Sequence, residues 1–150
     1  MFAGCTSLVN APDLPATTLV YDCYAGMFYD CTSLITAPEL PATTLAIGCY
    51  KYMFSGCTSL VNAPDLPATT LANICYSGMF INCTSLSTIR VAFMDWNGTN
   101  TSITRAWTSD TVVSTTSGVS SSGVFYKPSA LPEEYGVDRI PEGWTVVNID

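Results

Sequence analysis

Apolar positions in the first two-thirds of the chain recur on a fixed beat. Met1-Phe2, Met27-Phe28, Met53-Phe54 and Met79-Phe80 set a period of 26 residues. The units read MFAGCTSLVNAPDLPATTLVYDCYAG, MFYDCTSLITAPELPATTLAIGCYKY and MFSGCTSLVNAPDLPATTLANICYSG, and a fourth, MFINCTSLSTIR, leaves the pattern at about residue 89. Units one and three differ only at Ala3/Ser55, Val20/Ala72, Tyr21/Asn73, Asp22/Ile74 and Ala25/Ser77. Near-identity at a short fixed period predicts a stack of coils, each burying its apolar side against its neighbours. Leu8, Ala11 and Leu14 recur three apart, as do their counterparts Leu34, Ala37, Leu40 and Leu60, Ala63, Leu66. Strands are predicted at 7–11, 33–37, 59–63 and 85–91, ending at Pro12, Pro38 and Pro64, which cannot donate to a ladder. A second proline, at 15, 41 and 67, turns the chain. Leu19, Cys23, Met27 and Cys31 then fall four apart, the one-face spacing of a short helical or 3₁₀ segment.

The coil phrase is distinctive. Met-Phe, Cys-Thr-Ser-Leu at 5–8, the run from Ala11 to Leu19 and Cys-Tyr at 23–24 resemble the BspA-like leucine-rich repeats of bacterial surface proteins. The resemblance covers residues 1 to about 89, and Trp107, Gly123-Val124-Phe125 and Ile140-Pro141-Glu142-Gly143-Trp144 resemble the closing segment of such proteins from gut bacteria. It implies an α/β solenoid, a right-handed leucine-rich-repeat coil of short parallel strands and short helical segments with a C-terminal cap. It also implies a secreted or surface-attached location and a protein or glycan ligand on host or neighbouring cells. The family has no catalytic residues to carry over.

Residues 1–89 form the repeat region and 90–150 the cap region. Residues 95–123 are rich in Thr, Ser, Asn and Gly, and Ile103 and Trp107, after Thr101-Ser102, predict a short capped helix. A mobile loop is expected at 114–122 and a last strand at 144–148. Because Met1 falls on a repeat boundary, the chain is expected to be a piece of a longer array. No basic and apolar leader follows Met1, and no apolar run approaches the ~18 residues of a membrane span.

Composition narrows the chemistry. Charged residues make up only 11% of the chain, no histidine occurs, and the net charge is -7. The commonest neutral-pH base and metal ligand is therefore missing. Phosphate neutralisation needs a basic surface, so nucleic-acid binding is excluded as an expectation. No cofactor site is expected, and neither a phosphate-cradling glycine loop nor a recurring Asp/Glu pair in one pocket is legible. Glu133-Glu134, beside Pro132, reads as a solvated pair.

Seven cysteines occupy two repeat positions, Cys5, Cys31, Cys57, Cys83 and Cys23, Cys49, Cys75, with gaps alternating between 18 and 8. That spacing matches no Cys-x-x-Cys site. The reading favoured is two ladders of buried thiols; disulfides between ladders, such as Cys23 with Cys31, are the alternative in an extracellular setting. Asp13, Glu39 and Asp65 form a stripe read as a solvated rim rather than a calcium site, and the Thr pairs at 17–18, 43–44 and 69–70 as turn hydroxyls. Sequons at Asn82, Asn97 and Asn100 are read as incidental. Positions that change between units are the candidates for partner binding: Tyr21, Tyr29, Tyr52, Asn10, Thr36 and Asn62.

Four coils about 4.8 Å apart offer a strand face of only some 300 Å², against roughly 800 Å² per side for a standard interface. Flanks, cap or multiple copies must then add to it. The functional expectation is a non-catalytic adhesion or recognition module, with a structural spacer as the alternative. A homodimer through the open N-terminal coil edge is also anticipated.

Overall fold

The computed structural model describes residues 1–96, 107, 118–136 and 138–150. The helix expected around Ile103, the sequons at Asn97 and Asn100 and much of the 114–122 loop fall outside these residues.

Successive units lie on one another in register, held by two alternating sets of hydrogen bonds. Along 22–30 the even-numbered amides donate to the next coil, as in Tyr24 N to Cys49 O and Phe28 N to Met53 O at 3.0 and 2.9 Å. The intervening amides donate three residues back, as in Met27 N to Tyr24 O and Cys31 N to Phe28 O. The same alternation joins the second coil to the third, through Tyr50 N to Cys75 O and Phe54 N to Met79 O.

This corrects the helical expectation. There is no helix among the described residues, and regular structure is confined to three short strands: β1 (Thr88–Arg90), β2 (Val124–Lys127) and β3 (Thr145–Asn148). They form one open parallel sheet in the order β1-β2-β3. The α/β solenoid with helical segments is thus not the architecture. The four-residue spacing of Cys23, Met27 and Cys31 comes from a run of tight turns. Asp22, Gly26 and Asp30 have φ of 50°, 61° and 56°, and Gly48, Tyr52, Gly56, Ile74, Gly78 and Asn82 repeat this at 64°, 54°, 80°, 49°, 64° and 60°. A left-handed residue at every fourth position cannot belong to a right-handed helix, but it suits the third position of a turn. Both arrangements bring every fourth side chain to one side, so spacing alone does not separate them.

The strand expectation is corrected too. Three of the four predicted strands shrink to single bridges, Asn10↔Thr36 and Asn62↔Thr88, and only part of 85–91 pairs as β1. β3 falls within the expected 144–148.

Within the stack, like residues pile on like. Phe2, Phe28, Phe54 and Phe80 form one column, with ring centroids 5.7, 5.6 and 6.1 Å apart and planes within 10° of parallel. Tyr24, Tyr50 and Tyr76 form a second, spaced 5.9 and 6.0 Å. Leu34, Leu40, Leu60, Leu66 and Leu86 fill the space between the turn run and the bridges.

Both columns end on Trp107, whose ring meets Phe80 at 6.0 Å and Tyr76 at 6.5 Å, with Phe93, Trp96 and Phe125 around it. All three indoles find a main-chain acceptor: Trp96 on Pro132 O at 2.7 Å, Trp107 on Arg139 O at 2.9 Å and Trp144 on Ser120 O at 2.8 Å. This is how a buried indole avoids an unmet donor. Gly123 lets β2 close on β1, since a Cβ there would run into Ser87 O and the Trp144 ring.

Candidate functional site

The six sequence candidates are all exposed, but they do not form one site. Asn10 and Thr36 face each other across the bridge between the first two coils, fixed by Ala11 N to Thr36 O and Ile35 N to Val9 O. Asn62 sits at the same phase, bridged to Thr88 through Ala63 N to Thr88 O and Ser87 N to Val61 O. Tyr21, Tyr29 and Tyr52 lie on the turn run instead. Tyr52 is partly committed to packing: its ring covers Gly78, and the Lys51 ammonium stands 5.6 Å from its centroid. Tyr21, at 68% exposure, is the freest of the three.

The structure adds a row that sequence reasoning did not single out. Val9, Ile35 and Val61, beside Asn10, Thr36 and Asn62, are 44%, 56% and 44% exposed. Three β-branched apolar side chains at one phase of the stack, flanked by amide and hydroxyl groups, make an apolar ridge with a polar border. Its signal was present as the Val/Ile/Val change between units. It was hard to weigh because β-branched residues in a predicted strand normally read as core.

Beside the ridge the coils part. Pro12, Pro15, Pro38 and Pro41 supply no amide hydrogen, and no described backbone bond joins this stretch of the first three coils to one another, while Leu66 on the third coil pairs with Val91 on its other side. One cleft of about 370 Å³ lies between Pro38, Glu39 and Pro41 on the second coil and Pro64, Asp65 and Pro67 on the third. Another of about 590 Å³ lies between the first and second coils, walled by Asp13, Pro15, Thr36 and Pro38. Thr36 is thus the sequence candidate that borders both the ridge and a cleft. Thr43, Thr44, Thr69 and Thr70 line a third opening of about 460 Å³. Asp13, Glu39 and Asp65 stand at the cleft rims, and Asp65 has Arg90 at 4.0 Å in a solvent-exposed pair that adds little.

The thiols face the other way. All seven cysteines are free, and five of them, Cys31, Cys49, Cys57, Cys75 and Cys83, are buried. Cys31, Cys57 and Cys83 donate Sγ–H to the carbonyls of Phe2, Phe28 and Phe54, at 3.0, 3.2 and 3.0 Å. Burial pushes the Cys49 thiol up to about 11 and those of Cys57 and Cys75 up to about 12, and raises Cys31 and Cys83 as well. A thiol held protonated is a poor nucleophile and a poor metal ligand. Among the described residues no three His, Cys, Asp or Glu side chains are grouped to hold a metal ion.

No known family model, characterised protein or solved structure matches the chain. No helix among the described residues is long and apolar enough to cross a membrane.

Proposed function

We propose that the protein is a non-catalytic recognition module that binds a protein or glycan through the exposed edge of its stacked coils. The observation that carries this reading is the ridge of Val9, Ile35 and Val61 set against Asn10, Thr36 and Asn62. Apolar side chains presented beside fixed amides and hydroxyls, next to open clefts, offer both contact area and directional hydrogen bonds. The likeness of the repeat to BspA-like sequences supports placing it outside the cell or on a bacterial surface, with adhesion to host or neighbouring cells as its role. The ridge is small by the standard of stable interfaces, so binding is expected to be weak per copy and strengthened by multivalency.

The near-identity of units one and three favours a second reading, a spacer presenting another domain, because it leaves the ridge little chemical variety. Binding of the full chain, displayed in many copies on beads, to a panel of matrix proteins and glycans separates the two. The recognition reading predicts capture that falls at least about ten-fold in Ile35→Glu, a change worth about 1.4 kcal/mol, and stays within two-fold or so in Glu142→Gln, far along the chain. No capture from a broad panel, or equal capture by both variants, points to the spacer.

A further inference from the structure

The left-handed residues of the turn run alternate in kind from one coil to the next. At the first such position the stack reads Asp22, Gly48, Ile74; at the second Gly26, Tyr52, Gly78; at the third Gly4, Asp30, Gly56, Asn82. No two non-glycine residues are adjacent in any of these columns. The reason is steric: the Asp22 carboxylate lies over Gly48, the Asp30 carboxylate over Gly56 and the Tyr52 ring over Gly78, each in space that a Cβ on the glycine would claim. A non-glycine left-handed residue thus needs a glycine beneath it in the following coil.

Two of these glycine cradles are empty. A Cβ at Gly4 would meet nothing, and one at Gly26 would meet only the Cβ of its own Tyr29 at 3.9 Å. Both lie on the outward edge of the first coil. On the same edge, no described backbone amide donates to the carbonyls of Met1, Ala3, Tyr21, Cys23 or Ala25. Their counterparts Met27, Tyr29, Ile47, Cys49 and Lys51 each accept an amide from the coil before. Phe2 and Tyr24 end their columns there half-buried, and Cys5 and Cys23 are exposed although their counterparts are buried.

We propose that these alternating residues are a pairing code, and that the outward edge of the first coil is a docking surface for a coil of the second kind. That occupant has Asp over Gly4, an aromatic ring over Gly26 and glycine over Asp22, the pattern by which residues 27–52 cover the third coil. Its amides meet the open carbonyls of the first coil as those of Gly48, Tyr50 and Tyr52 meet Asn73 O, Cys75 O and Ser77 O in the third. Two copies of the chain meeting edge to edge about a two-fold axis would set carbonyls against carbonyls in this run, and so form no ladder.

The test places either residues 27–52 or residues 1–26 as an extra coil ahead of Met1 in the full chain. The second-kind coil is expected to raise the melting temperature by several degrees and to slow iodoacetamide labelling of Cys5 and Cys23 about ten-fold or more. The first-kind coil, which sets Asp over Asp22, should give less than half of either effect. Within the existing chain, Gly78→Asn, a residue that tolerates positive φ, should destabilise, and Tyr52→Gly should reverse most of that loss. Equal protection by the two added coils, protection by neither, or additive effects of Gly78→Asn and Tyr52→Gly would overturn the code.

Discussion

Between pH 9 and 11 the protein is expected to lose stability steeply while showing little change between pH 6 and 8. The cause lies in the two thiol ladders. Each buried cysteine sits under a neighbouring coil, and burial raises its pKa above the ordinary 9.0, to about 11 for Cys49 and about 12 for Cys57 and Cys75. Below pH 9 both folded and unfolded chains keep these protons, so the thiols contribute no pH dependence. Above pH 9 the unfolded chain releases protons that the folded chain retains. The unfolded state then binds fewer protons, and stability falls with rising pH until the folded thiols also ionise. Each such thiol contributes up to about 1.4 kcal/mol per pH unit across that window. Tyr50 and Tyr76, whose buried hydroxyls have no hydrogen-bond partner among the described residues and are held above their usual range by the same desolvation, act in the same direction. Urea unfolding followed from pH 7 to 11 checks this. A midpoint unchanged at pH 10.5 would mean that solvent reaches the thiols in the folded state.

Trp107→Ala should be the most damaging single substitution, at about 3–5 kcal/mol. The indole is fully buried and lies against five aromatic rings, including the last members of both columns. The main-chain carbonyl of Trp107 accepts Phe80 N at 2.6 Å, so the side chain is also what seats this rung of the coil ladder against the end of the core. At roughly 2–4 °C per kcal/mol for a chain of this size, the melting temperature should fall by about 10 °C or more. Trp107→Phe should cost less, about 1–2 kcal/mol, by removing the donor to Arg139 O while keeping a ring in place. A loss under 1 kcal/mol for the alanine variant, measured by thermal and urea unfolding, would show that the stack does not rest on this tryptophan.

What was legible in the sequence follows from what repetition can and cannot reveal. The stacking of Phe2 on Phe28, and of Cys31 under Cys57, is a direct consequence of a 26-residue period, because equal phase means equal place in the coil. The turn run was misread because an interval of four is shared by helices and by chains of tight turns. The distinguishing signal is the placement of residues tolerant of positive φ, with Asp22, Gly26 and Asp30 four apart and Gly48 and Gly56 four residues either side of Tyr52. Tyr52 and Ile74 hid that signal, since neither type normally adopts such a backbone. Among the site residues, Asn10, Thr36 and Asn62 were found because they vary between units and are exposed. Val9, Ile35 and Val61 sit at a position that changes between units in the same way, but change alone does not separate an exposed β-branched side chain in a predicted strand from a buried one.

The central claim is that coils pair with coils along the turn run, where an α/β repeat would wind its own local helix. Scalar couplings across hydrogen bonds in an isotope-labelled sample test it most directly. The structure predicts couplings from the amides of Tyr24, Phe28 and Phe54 to the carbonyls of Cys49, Met53 and Met79, with those of Met27 and Cys31 reaching Tyr24 and Phe28. Couplings from each residue to the fourth before it along 20–31 and 46–57 would instead establish helices and contradict the account.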